Sequence, residues 1–144
     1  MDKEIIKNKI FEFLGKHQVG VVSTIHANSQ GTESALVGFA ETDNLEIIFG
    51  TSNQTRKYKN IKANPHVSFV VGWTSIMGTI QYEGIAKELS PEEVTSIAPI
   101  MIQKNVDNGK YINSENQVYF SVKPTWIRFL DNDGNPPDSY EITF

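Results

Sequence analysis

The chain has 144 residues, 39% of them hydrophobic and 21% charged, with a formal net charge of −4, the size and composition of one soluble domain with its own core. It contains no cysteine, which excludes disulfides, thiolate nucleophiles and cysteine-based zinc sites. Residues 1–16, MDKEIIKNKIFEFLGK, mix charges among apolar residues where a signal peptide needs an uncharged core, and no apolar run reaches membrane-spanning length, so a cytoplasmic protein is expected.

Ile6, Ile10, Phe13 and Leu14 recur at helical spacing and predict an amphipathic helix that Gly15 closes and that covers a sheet. Residues 19–25, VGVVSTI, form an uninterrupted β-branched run, followed by the turn-rich HANSQG at 26–31; this predicts a strand and a hairpin loop. Residues 32–40, TESALVGFA, give a second strand with a bulge at Gly38, and ETDN turns the chain into a third at 45–49 that Gly50 ends. Three strands at such short spacing predict an antiparallel meander.

Residues 51–55, TSNQT, are small and polar, and a basic segment with Arg56, Lys57, Lys59 and Lys62 follows. Strand, polar turn and helix start is an arrangement that attracts anions. The first amides of a helix lack intrahelical acceptors, its dipole favours negative charge, and hydroxyls and an arginine fork complete a phosphate cradle. Residues 51–57 are therefore a candidate phosphate site. Charge patterning supports this: residues 47–82 contain no Asp or Glu and carry +4, which leaves −8 on the rest of the chain. A basic island in an acidic protein suits one small anionic ligand better than a nucleic-acid polymer, which needs a wider basic face. The competing reading is an exposed helix with solvated lysines.

Asn64-Pro65 stops that helix. HVSFVVGW at 66–73 predicts a fourth strand, and another lies within 76–88, where Ile80, Tyr82 and Gly84 alternate with Thr79, Gln81 and Glu83. Ser90-Pro91-Glu92-Glu93 opens a helix with a cap, a proline at the first position and a carboxylate to return the bond. It is expected to reach about Lys104, with a kink or break at Pro99. Residues 105–116 form a polar connection, 117–123 and 125–131 read as two closing strands around Pro124, and the turn-rich acidic tail reads as an arm that orders on a partner. About six strands with few helices predict a mainly β fold, a small antiparallel barrel whose closure removes exposed edges.

No catalytic set stands out. His17, His26 and His66 are scattered away from metal-ligand spacing and read as surface or strand-end histidines. Ser23 and Ser68 lie in apolar strands without a nearby base signature, and Glu92 and Glu93 are accounted for by capping.

From about Ile10 to Asp131 the chain resembles the pyridoxamine 5'-phosphate oxidase-like flavin-binding split barrels. The resemblance rests on VGVVSTI, TESALVGFA, IIFGTSNQTRKYKNIKANPHVSFVV, the Gly84-centred strand and KPTWIRFLD. It implies a split β-barrel that binds flavin mononucleotide (FMN), with Thr51, Thr55, Arg56 and Lys57 on the phosphate. These are the residues the anion argument selects. It further implies that Leu36, Val37 and Gly38 meet the isoalloxazine ring, mostly through backbone, with Thr79 or Gln81 near it. The site is expected at a homodimer interface, where a second subunit supplies Trp126 or Arg128; for Trp126 the reading as a core or dimer-packing aromatic is preferred. Members that oxidise pyridoxamine 5'-phosphate carry an additional Arg and Lys on the strand matching 34–39 and a late Arg-x-His. This chain has SALVGF there, no Arg after Arg128 and no His after His66. The resemblance therefore implies a member of the general-stress or uncharacterised branch, an oxidoreductase of unknown substrate or a flavin-binding sensor, with another flavin or a deazaflavin as alternative ligands. No metal, nucleic-acid or membrane partner is expected.

Overall fold

The computed structural model describes residues 1–104, 106–133 and 136–144, without the side chains of Asp107 and Asn108. Helix α1 (Lys3–Gly15) is capped by Asp2, whose carboxylate accepts from the Glu4 amide, and turns Ile10, Phe13 and Leu14 into the core. Strands β1 (Val19–Ile25) and β2 (Thr32–Gly38) form the expected hairpin, Val19 opposite Gly38 and Ile25 opposite Thr32. The second strand does not continue to residue 40. The chain breaks register at Phe39, whose amide donates to the Gln18 carbonyl (3.1 Å), and a two-residue strand β3 (Ala40–Glu41) begins on the other side.

Strand β4 is Ile47–Ser52, later than the sequence suggested at both ends. Leu45 sits at φ +64° in the preceding turn, and Gly50 pairs with Tyr119 in mid-strand instead of ending it. Helix α2 (Arg56–Ala63), β5 (His66–Gly72) and β6 (Gly78–Glu88) follow as the pattern predicts. Helix α3 (Pro91–Gln103) runs through Pro99 unbroken, and the full capping box forms between Ser90 and Glu93. After a short 3₁₀ turn (Val106–Gly109) come β7 (Gln117–Asp131) and β8 (Asp138–Thr143).

Eight strands thus form one curled antiparallel sheet in the order β2-β1-β5-β6-β7-β4-β3, with β8 also on β7. The meander is not formed, because β2 pairs with β1 while β3 and β4 pair with each other at the far end. Nor does hydrogen bonding close the ladder; the result is a half-barrel. The two closing strands are one, β7, bent by a bulge. Glu83 faces Trp126 but Gly84 faces Pro124, so Thr125 is the extra residue. That bulge is where the sheet divides. One edge of β7 pairs with β6 over residues 120–131; the other serves β4 at residues 117–122 and β8 at 126–131. Pro124, which has no N–H to give, sits at the fork. The tail is therefore not an arm: residues 138–143 are an edge strand. The readings of 105–116 and of the tail include Asn105, Gly134 and Asn135, which lie outside the described residues.

Alternation along the strands separates two faces. Phe49, Phe69, Tyr82, Phe120, Ile80 and Ile127 point inward to the main core, which α1 covers with Ile10, Phe13 and Leu14. A second cluster, with Ile48, Tyr119 and Met101, lies beneath α3 on the opposite face.

Candidate functional site

Buried Thr51 and half-buried Ser52 end β4, and the turn that follows is held locally. The Gln54 amide donates to Ser52 Oγ (3.1 Å) and the Thr55 amide to the Ser52 carbonyl (3.2 Å). Thr55 caps α2, its Oγ1 accepting from the Tyr58 amide at 3.3 Å, as its extended backbone and short hydroxyl allow. The same hydroxyl donates to the Ser52 carbonyl (2.9 Å), so the 3.0 Å contact between the two threonine hydroxyls is a bond from Thr51 to Thr55. Thr51 is 6% exposed. It orients Thr55 from behind and presents no hydroxyl proton to a ligand.

In front of the cap lies a groove of about 460 Å³ lined by Thr24, Glu33, Gln54, Thr55, Arg56 and Lys57 among others. The amides of Arg56 and Lys57 open the helix ahead of any intrahelical acceptor. Lys57 is half-buried, and that burial lowers its ammonium pKa below the ordinary value; an anion alongside would restore it. Arg56 is largely exposed and ion-paired with Glu33. Asn60, 2% exposed on the inner face of α2, donates to the other Glu33 oxygen (2.6 Å), sits 3.0 Å from Thr24 Oγ1 and accepts from the Ala27 amide (2.9 Å). His26 Nε2 is 3.3 Å from Glu33. Lys59 and Lys62 do not line the groove; Lys59 is exposed and Lys62 pairs with Glu88 at 3.2 Å.

Glu33, Asn60, Thr24 and His26 were not selected from the sequence. The island of +4 is free of acids only along the chain; the β1–β2 hairpin brings Glu33 across to Arg56. Strand alternation held the signal, since it places Glu33 on the same inner face as Ala35 and Val37. His17 is also no surface histidine: it is 4% exposed, its Nδ1 2.8 Å from the Phe13 carbonyl and its Nε2 3.1 Å from Thr74. Among the described residues no group of His, Asp or Glu is arranged to hold a metal ion.

The residues assigned to the ring lie elsewhere. Val37 points into the core and Leu36 out to solvent, while Gly38 sits against Val106. Register carries a row across the outer face: Leu36, Val21, Val70, Gln81, Arg128. Two strands separate Leu36 from Gln81, about 14 Å at ordinary strand spacing, so one chain does not bring them together. Thr79, opposite Gly72 and Leu130, lies on that face, as does half-buried Trp126, between Glu83 and Thr143. Trp126 is thus not in the core. A larger groove of about 760 Å³ beside α3, lined by Ile48, Ile85, Leu89 and Ile97 with Lys87 and Lys123, contains none of these residues.

A curled antiparallel half-barrel with three α-helices defines the class of split barrels, and comparison with known proteins agrees. The family model described as pyridoxamine 5'-phosphate oxidase matches residues 6–131. The chain belongs to this family. General stress protein 26 of Bacillus subtilis (strain 168) is 24% identical over 145 residues, spanning 99% of this chain and all of that protein. A pyridoxamine 5'-phosphate oxidase-related, FMN-binding protein from Nostoc punctiforme superposes with a TM-score of 0.68 at 12% identity, covering 97% of this chain and 86% of its own. A heme-binding protein from Mycobacterium smegmatis gives a TM-score of 0.78 at 13% identity over 99% of this chain, which spans 59% of that protein. Both structural likenesses bear on the fold. Among the described residues no helix is long and apolar enough to cross a membrane.

Proposed function

We propose that the chain is an FMN-binding flavoprotein and an oxidoreductase of unknown substrate. The observation that carries this is the Thr55-capped start of α2, where Arg56 and Lys57 flank a groove of about 460 Å³. These groups fit a phosphate: two amides, a guanidinium fork, and an ammonium whose burial an anion would offset. Arg56 and Lys57 bind it and Thr55 fixes the helix that presents them. The bound flavin would supply the redox chemistry, and the protein supplies binding, orientation and exclusion of water.

A homodimer completes this reading. Leu36 is 69% and Val70 52% exposed, with Val21 between them and Val19, 49% exposed, on the same face of β1, an apolar patch that a second copy could cover. A second copy across this face would bury the row and bring Thr79, Gln81 and Trp126 to a ring lying along residues 36–38.

The test is the visible spectrum of the purified protein before and after reconstitution with FMN and removal of free flavin. Retained flavin bands support the reading; none after reconstitution, or a heme Soret band in their place, refutes it. Reduction by a nicotinamide donor and reoxidation by an added acceptor separate an oxidoreductase from a flavin-binding sensor.

A further inference from the structure

The groove that suits a phosphate already contains an anion. Glu33 enters it from β2, its side chain 18% exposed, and one of its oxygens pairs with Arg56. It is not a mobile surface acid that drifted there. Asn60, itself 2% exposed and held by the Ala27 amide and Thr24, donates to the second oxygen at 2.6 Å. His26 Nε2 lies 3.3 Å from the same Glu33 oxygen that pairs with Arg56. The guanidinium of α2's first residue is thereby turned toward a fixed carboxylate, and a phosphate entering the groove must take Arg56 from it or share it at close range to a like charge.

We propose that Glu33 is a specificity-determining residue, an internal counter-anion that competes with the ligand's phosphate for Arg56. This rests on the phosphate reading above. Its consequence is selective: Glu33 weakens ligands carrying a phosphate dianion and leaves their unphosphorylated counterparts untouched. Such a device keeps a phosphorylated ligand exchangeable where an unopposed Arg56 and Lys57 would hold it tightly. Asn60 makes it work, because it prevents Glu33 from swinging out as Arg56 is drawn to the ligand.

The test titrates FMN and riboflavin into wild type, Glu33→Gln, Glu33→Ser and Arg56→Ala, following quenching of flavin fluorescence. Glu33→Gln keeps the shape and still accepts from Asn60. It is expected to tighten FMN about tenfold or more, the scale of one charge-assisted bond, with riboflavin unchanged. Glu33→Ser must move FMN in the same direction, which guards against a folding defect peculiar to one variant. Weaker or unchanged FMN binding in both variants overturns the proposal and leaves Glu33 a residue that positions Arg56. Arg56→Ala separates the two layers. If it weakens FMN and riboflavin equally, the phosphate reading itself is wrong; if it weakens FMN alone while the Glu33 variants do nothing, only the competition is wrong.

Discussion

Thr55 has one hydroxyl proton and three polar neighbours, and the way they are satisfied fixes the geometry of the candidate site. Thr55→Ala is expected to remove about 1 kcal/mol of stability through the lost cap, read by urea denaturation, with most of it restored in Thr55→Ser. The basic residues of α2 divide by position. Arg56→Ala should weaken FMN by about 1.5–3 kcal/mol, whereas Lys59→Ala, at an exposed position outside the groove, should change it by less than about 0.5 kcal/mol; equal effects would place the ligand elsewhere. At Glu93, the bond from the Ser90 amide and then the Lys87 ammonium hold the carboxyl below its ordinary value of 4.5. A depressed acid stabilises the fold above its unfolded pKa and loses that contribution as pH falls through the folded one. The stability difference between wild type and Glu93→Gln should therefore be fully present at neutral pH and shrink as pH falls below the ordinary value of 4.5 and through the lower folded one; denaturation from neutral to acid pH measures it.

Two junctions between elements are tightly constrained. At the fork of β7, a Cβ on Gly84 would lie 2.5 Å from the Lys123 carbonyl oxygen, backbone that cannot step aside. Gly84→Ala should cost about 1–3 kcal/mol in thermal or chemical denaturation, and an unchanged midpoint would mean the bulge relaxes freely. Helix α3 is clipped to β3 by Lys104, whose Nζ lies 2.7 Å from both Glu41 oxygens and donates to the Leu14 carbonyl. Burial lowers the Lys104 pKa more than Glu41 raises it. Lys104→Met strands a buried carboxylate and should cost about 3–5 kcal/mol, while adding Glu41→Leu should recover most of the loss. The elements themselves were legible. Local signals, such as the 19–25 run, the Ser90 box and the stop at Asn64-Pro65, identified what they should. The fork was not, because a bulge at Thr125 reflects pairing with Gly84 forty-one residues away, and β8 was hidden in a turn-rich tail whose order comes from lying on β7.

For the molecule as a whole, sequence spacing could name the candidate phosphate residues but not their surroundings. Thr55, Arg56 and Lys57 are contiguous, so one local motif reveals them. Glu33 reaches them only through the hairpin, and the residues assigned to the ring fall on a face that a second copy completes only in the proposed homodimer. Val70→Asp or Leu36→Asp should convert a dimer to monomers in sedimentation and lower flavin retention in step; a monomeric wild type that holds flavin would refute the shared site.

The central claim is that the start of α2 binds the phosphate of a flavin. The most direct measurement is a pair of titrations of the wild-type protein, one with FMN and one with riboflavin, which differ only in that group. Binding of FMN tighter by about tenfold or more, with the difference lost in Arg56→Ala, is the predicted result. Equal affinity for the two ligands would contradict the claim and leave the half-barrel without its assigned anion.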